Sequence, residues 1–339
     1  MSPRRGVSRP VRTALVGCGA MATAVHVRAL RRAPEVELVA VADPDPAARE
    51  RGASIGRAAA EPGLDAVLAR DDVEAVVVAA PSPLHAELGT AVLAAGRHLY
   101  LEKPVATDVG GARAVAEAAT PGLVAVVGYN SRAHPLAIRA RALVREGTIG
   151  AVLHVHATFT EPRAAAPPAW RTGEGGGVLL DLADHHVDLI GWLLDDPVTA
   201  ARAEVRGHAE AILELRTVGG VAAHGFYGAG AARAHRLELS GERGSLRLDR
   251  YATRLELTTP RGELAAVRRR TPSSRRTPEA WRAKRLVRPA HDPSWERSLR
   301  AFARAVRGEK TDLATVAEGA RSVELLLAAT AEGASGGGG

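Results

Sequence analysis

Of the 45 lysines and arginines in this chain only three are lysines, Lys103, Lys284 and Lys310, so Lys103 stands alone before position 284. Arginine supplies positive charge but keeps its proton, whereas a lysine amine can be moved toward neutrality and exchange one. Lys103 follows a predicted strand at 97–101, on the edge where open α/β sheets present their ligands. A stray lysine in an arginine-rich chain is the plainer alternative. A second group is Asp181, His185 and Asp188, spaced i, i+4, i+7 behind Gly175-Gly176-Gly177. On a regular helix these three share one face, where the carboxylates hold His185 in one tautomer and favour its protonated form. Leu182, Leu189 and Leu193 form a packing stripe, and His186 points about 100° away from His185. The polar face also reads as the wet side of an amphipathic helix, or as a set of hard metal ligands. Acid–base chemistry by Lys103, Asp181 and His185 is the reading that joins the two groups, and no metal site is expected.

The third element is Gly17-Cys18-Gly19-Ala20-Met21-Ala22, a G-x-G-x-x-A turn directly after the apolar run Val11–Val16. The first glycine permits the tight turn and the second lets backbone approach a pyrophosphate at a helix N-terminus; alanine suffices third, where only packing is at stake. Asp43 ends the second predicted strand, where a carboxylate can accept both adenosine ribose hydroxyls. It would repel the 2′-phosphate of NADP, and the nearest basic residue downstream is Arg49. The expected cofactor is therefore NAD, with NADP possible.

These residues need a scaffold. Strand and helix alternate through position 128. Strands are expected at Val11–Val16, Val36–Ala42, 74–79, 97–101 and 123–128, and helices at 20–32, 45–51, 64–69, 84–95 and 109–119. Continuous apolar runs such as Val76-Val77-Val78 mark buried parallel strands, and the alternation implies a doubly wound α/β sheet over residues 1–128. After Gly128 the pattern changes. A helix at 135–146 leads into two-faced strands at 152–160, 201–205, Glu210–Thr217, 221–227, 236–240, 245–249 and Arg254–Thr258, read as antiparallel. Helices at 293–307 and 315–332 close a second unit, 129–332. The glycine-rich 333–339 is expected to be a disordered tail.

Hydrophobic residues make up 46% and charged residues 24%, ordinary for a soluble globular protein, with aromatics scarce at 3%. The single cysteine, Cys18, excludes an intramolecular disulfide and a cysteine-based zinc site. No run of 18 apolar residues suggests a membrane span, and Arg4-Arg5 lacks the apolar stretch of an export signal; a cytoplasmic protein is expected. Net charge is +7, concentrated in residues 261–288, which hold ten basic side chains against two acidic ones. That run lacks the interleaved aromatics of a nucleic-acid surface apart from Trp281, so a solvated or substrate-covering loop is expected, with no nucleic-acid or membrane partner.

Taken together the motifs resemble the Gfo/Idh/MocA oxidoreductases, a family that includes inositol dehydrogenases and glucose–fructose oxidoreductase. The resemblance rests on Gly17-x-Gly19-x-x-Ala22, Asp43-Pro44, Pro81-Ser82-Pro83-Leu84-His85, Glu102-Lys103-Pro104, Gly128-Tyr129-Asn130, Trp170-Arg171 and Gly175-Gly176-Gly177 followed by Asp181, His185 and Asp188. It implies an N-terminal Rossmann unit and a C-terminal α/β domain with an open, mostly antiparallel sheet whose exposed face packs on another subunit, in a homodimer or homotetramer. It implies that Gly17, Gly19, Ala20, Met21, Asp43, Pro81, Ser82, His85, Glu102 and Lys103 hold the cofactor. It implies that Tyr129, Asn130, Trp170, Arg171, Asp181 and His185 meet the substrate, and that Lys103 lies near the nicotinamide, often before a cis proline. The implied reaction is hydride transfer between nicotinamide and a secondary alcohol or ketone of a sugar, polyol or nucleotide-linked sugar. A non-catalytic NAD-binding sensor and an imine reductase share the fold and remain alternatives.

Overall fold

A computed structural model describes residues 9–162, 176–230, 232–259, 264–266 and 292–335. Its first sheet is parallel, built from β1 (Val11–Val16), β2 (Val36–Ala42), β3 (Ala59–Glu61), β4 (Ala75–Val78), β5 (His98–Leu101) and β6 (Ala125–Val127). The spatial order β3-β2-β1-β4-β5-β6 reverses direction between β1 and β4. Such a switch point opens a crevice at the C-terminal strand ends, beside the turn after β1. Ala14, Leu15, Val76, Val77, Leu99 and Leu101 are fully buried because helices cover both faces. β3 was not foreseen: its three residues, Ala59-Ala60-Glu61, carry no apolar run.

The intervening helices are α1 (Val27–Arg32), α2 (Pro46–Gly56), α3 (Leu64–Leu68), α4 (His85–Ala94) and α5 (Val109–Ala118). Asp45 caps α2 by accepting from the Ala47 N–H, and Asp108 caps α5 through Gly111. A wide π turn, Ala22–His26, precedes α1.

The second sheet has eight strands in the order β14-β13-β12-β11-β7-β10-β9-β8. They are β7 (Val152–Glu161), β8 (Val198–Arg206), β9 (Glu210–Thr217), β10 (Ala222–Ala229), β11 (Ala234–Gly241), β12 (Gly244–Asp249), β13 (Arg254–Thr258) and the short β14 (Leu264–Ala266). β7 was read as antiparallel. It pairs that way with β11 but runs parallel to β10. Alternation in one strand reports its two faces and carries no information on the direction of its neighbours. Helices α6 (Pro135–Arg145), α7 (Asp184–Leu194) and α9 (Val316–Ser335) pack on the inner face, and among the described residues no helix covers the outer face.

The chain then returns. Helix α8 (Pro293–Val306) buries Leu299, Phe302 and Ala303 in one cluster with Val11, Leu15, Val77 and Tyr100 of the first sheet. Tyr100 hydrogen-bonds Ser298 at 3.1 Å, Arg300 pairs with Glu35 at 2.9 Å, and Arg307 pairs with Glu74 at 3.0 Å. The last helix continues to Ser335, past its expected end at 332, and residues 336–339 lie outside those described. Among the described residues no helix is long and apolar enough to cross a membrane.

Candidate active site

The turn after β1 is shaped by two glycines with different duties. Gly17 has φ +96°, and a Cβ there would lie 2.6 Å from the Ala79 carbonyl oxygen, so the turn tolerates no side chain. Gly19 meets nothing within 4 Å, and Ala20 and Met21 beside it are exposed at the start of the helix. This bare backbone is the ground a pyrophosphate needs. The Cys18 N–H donates to Asp43 Oδ2 at 2.7 Å and the Asp45 N–H donates to Asp43 Oδ1 at 2.9 Å. Arg49 donates to the Asp43 carbonyl at 2.7 Å. Asp43 thus braces the turn through both carboxylate oxygens. These residues fit a dinucleotide. The Cys18 thiol is buried, and burial pushes its pKa up to about 11, which keeps it protonated and unreactive.

Across the crevice, Lys103 follows β5 with a cis peptide to Pro104. Its amine donates to the Asp181 backbone carbonyl at 2.5 Å and to Asp181 Oδ1 at 2.9 Å. The two side chains are 13% and 25% exposed, so the pair faces the cleft from largely dry surroundings. Asp181 sits in a second π turn, Leu179–Ala183, which runs into α7. His185 follows on α7, 8% exposed, with Nδ1 enclosed and unpartnered and its ring edge-on to Tyr129 at 6.3 Å. The glycines ahead of this helix are used: Gly176 and Gly177 have φ +76° and +58°, and a Cβ on either would strike Leu180 or the His208 carbonyl.

Two expectations about this helix fail. Burial, with the Lys103 and Arg250 charges, lowers the His185 pKa well below its ordinary value despite Asp181, so the ring is neutral rather than protonated. Asp188 does not serve His185. It is chelated by Arg132, whose Nη2 lies 2.6 Å from Oδ1 and whose Nε lies 3.0 Å from both oxygens. His185 and Asp188 both lie on the regular α7, and the Arg132 guanidinium takes up the Asp188 carboxylate in place of the imidazole. Arg132 also binds Glu318 at 3.0 Å and thereby fastens α7 to α9.

Several residues expected to touch ligands lie instead behind the surface. His85 is 1% exposed; its nitrogens face the Pro104 and Ala80 carbonyls at 2.6 and 2.9 Å, stapling the loop after β4 to the Lys103 turn. Ser82 is buried and Pro81 exposed at the head of that loop. Glu102 points inward toward His26, 3.3 Å away, and burial raises its pKa to about 8. Tyr129 and Asn130 are each 1% exposed. Tyr129 donates to Asp184 Oδ1 at 2.7 Å, as Ser322 does at 2.5 Å, and Asn130 donates to Ser294 at 2.8 Å. They lie beneath the surface that carries Lys103, Asp181 and His185. Trp170, Arg171 and most of the basic stretch 261–288 lie outside the described residues. The supports Arg132, Asp184 and Arg250 were missed. The two arginines are anonymous in a chain so rich in them, and Asp184 occupies a helix position that a periodic reading assigns to packing. Among the described residues no group of three or more His, Cys, Asp or Glu side chains is placed to hold a metal ion.

Burial of ionisable groups makes stability sensitive to pH. His26 and His134 are held down at about 4 and His186 at about 3, while His185 and His235 also lie well below normal. The unfolded chain takes up protons on these rings below about 6.5 and the fold does not, so their contribution is present above that pH and lost as pH falls through it. Glu102 at about 8, and Asp184 and Asp188 each at about 6, act oppositely: the fold binds their protons first and gains stability as pH falls. The histidines outnumber these carboxyls. The urea midpoint is therefore expected to drop between about pH 6.5 and about pH 5; a midpoint that climbs over that interval contradicts the burial of neutral rings.

Comparison with known proteins identifies the family of this fold. Residues 11–131 match the family model described as "Oxidoreductase family, NAD-binding Rossmann fold", and residues 137–247 match the GFO/IDH/MocA C-terminal domain. A dTDP-3,4-didehydro-2,6-dideoxy-alpha-D-glucose 3-reductase from Streptomyces antibioticus is 33% identical over 266 residues, 75% of this chain and 80% of that protein. An inositol 2-dehydrogenase from Rhizobium meliloti is 29% identical over 191 residues, 56% of this chain and 57% of that one. A solved 3-ketoreductase from Actinomadura kijaniata, in complex with TDP-benzene and NADP in an open conformation, superposes with a TM-score of 0.75. It is 26% identical, covering 95% of this chain and 97% of that one. The chain belongs to the Gfo/Idh/MocA family and is an oxidoreductase built on an NAD-binding Rossmann fold.

Proposed function

We propose that this enzyme interconverts a ketone and a secondary alcohol on a nucleotide-linked sugar, with Lys103 and His185 handling the proton. The observation that carries the chemistry is the Lys103–Asp181 pair beside a neutral, enclosed His185. The sugar class is supported by relatives: dTDP-sugar 3-reductases from Actinomadura kijaniata, Streptomyces violaceoruber and Saccharopolyspora spinosa are 30–32% identical over 72–88% of this chain. The inositol 2-dehydrogenase likeness keeps a free polyol as the second reading.

Nicotinamide, when bound, supplies or accepts the hydride. An ammonium group has three N–H donors, and Asp181 occupies two of those on Lys103 through its carbonyl and carboxylate. The third is left for the oxygen of the reacting carbon, which it polarises as alkoxide character develops. In oxidation the neutral His185 imidazole accepts the hydroxyl proton, and in reduction the same ring returns it to the alkoxide. Such general acid–base help contributes about 10²–10⁴ in rate. Arg132 and Tyr129, through Asp188 and Asp184, keep α7 from turning His185 away.

The cofactor end favours the unphosphorylated dinucleotide. The Asp43 carboxylate stands there, held by the Cys18 and Asp45 N–H groups, and Arg49 is hooked to a backbone carbonyl. The open outer face of the second sheet favours self-association. Cross-strand pairing aligns Arg202, Glu214, His224, His156, Glu238 and Arg247 in one exposed row across six strands. The row reads the same from either end. A second copy displaced by one strand sets arginine against glutamate on both sides of a histidine, the self-complementarity that a twofold interface requires. Phe226 and Ile212 lie exposed on the adjoining row at 37% and 46%.

Three outcomes check this reading. Lys103→Arg is expected to lower ketone reduction at least about 100-fold while cofactor affinity, read by fluorescence titration, stays within about twofold; near-normal turnover removes the lysine assignment. Asp43→Ser is expected to raise NADP efficiency relative to NAD about tenfold, roughly one lost charge repulsion, and a wild type that already prefers NADP refutes the cofactor assignment. In sedimentation velocity the wild type is expected to be a dimer or larger, and Glu214→Arg with Glu238→Arg to shift it toward monomer. A wild type that sediments as a monomer at micromolar concentration rules out the sheet interface.

A further inference from the structure

A groove of about 810 Å³ opens between α6 and α8, and none of Lys103, Asp181 or His185 lines it. Arg141 and Arg145, one turn apart on α6, form one wall. Arg297, Arg300 and Arg304, spaced i, i+3, i+7 on α8, form the other, and exposed Lys310 stands at the end. Among the described lining residues only Glu146 and Asp312 are acidic. The floor is apolar, with Ile138, Ala142, Ala301 and Leu313.

Neutralisation of the two walls is shared thinly. Asp195 serves both Arg141 and Arg145, and Glu35 serves both Arg300 and Arg304. Looser pairs join Arg141 to Asp312 at 3.3 Å, Arg300 to Glu296 at 3.8 Å and Arg304 to Glu309 at 3.7 Å. Two guanidinium stripes facing each other across a gap repel, and an anion between them turns the repulsion into attraction. Planar guanidinium forks match phosphate oxygens two at a time. The space is that of a small-molecule site and larger than one phosphate fills. The apolar floor adds a place for an organic body.

We propose that this groove is a second ligand site, for an organic molecule bearing a diphosphate or longer phosphate chain, separate from the reacting centre. Arg132 lines the same groove and clamps Asp188, so an occupant touches the support of α7 rather than the reacting groups.

The test is calorimetric titration of the full-length protein carrying one equivalent of NAD, which fills the dinucleotide site and leaves the groove free. ADP, inorganic pyrophosphate and sulfate serve as probes at matched ionic strength. ADP is expected to bind tightest, pyrophosphate next and sulfate at least about tenfold more weakly than ADP. In the double variant Arg145→Gln with Lys310→Gln, both at exposed positions, ADP affinity is expected to fall about tenfold or more with the melting temperature unchanged. Pyrophosphate equalling ADP overturns the organic body. ADP affinity unchanged in the variant, or no binding by the wild type, overturns the site.

Discussion

The ion pair between Lys103 and Asp181 is the interaction on which the architecture turns. Lys103 belongs to the edge of the parallel sheet and Asp181 to the π turn that leads into α7, 78 positions later. Separating partners in a largely buried pair costs about 3–5 kcal/mol, because a charge is left behind without solvent. The pair therefore holds the two parts of the chain in one relation while holding the amine at the crevice. Everything around it limits its freedom. His85 staples the Lys103 turn from one side, and Arg132 with Asp188 anchors α7 from the other. Helix α8 crosses back onto the first sheet and buries Phe302 there.

Behind that pair the ionisable groups are arranged in layers. Those at the cleft, Lys103 and Asp181, keep partial contact with solvent. Those one layer down, Glu102, Asp184, His185 and His186, are enclosed and drift toward their neutral forms. The gradient has a chemical consequence. An imidazole held neutral is able to accept a proton, and the group that takes it in one direction of a reversible step returns it in the other. The price is a set of buried polar atoms with imperfect partners, such as both nitrogens of His186 and Oδ2 of Asp184.

Much of the scaffold was legible in the residues. Apolar runs located five strands of the first sheet, because parallel strands covered on both faces must be apolar throughout. The glycine turn and Asp43 were legible because their geometry tolerates few alternatives: a Cβ at Gly17 collides with backbone. The direction of β10 against β7 was not legible, since pleat reports faces and not neighbours. Nor were Arg132 and Arg250, whose meaning comes from which carboxylates they meet, Asp188 and Asp292.

What the sequence determined by itself is the inventory and its order: a strand–glycine–helix turn, one early lysine, and an aspartate and histidine behind glycines. These follow from local sterics and from periodicity, which act over a few residues. Only the tertiary structure decided which of those groups face the cleft and which carry charge. Tyr129, Asn130 and His85 became supports, and His185 became neutral rather than protonated. The reason is that ionisation and exposure depend on the water and charges excluded or brought near by distant segments, and nothing local records them.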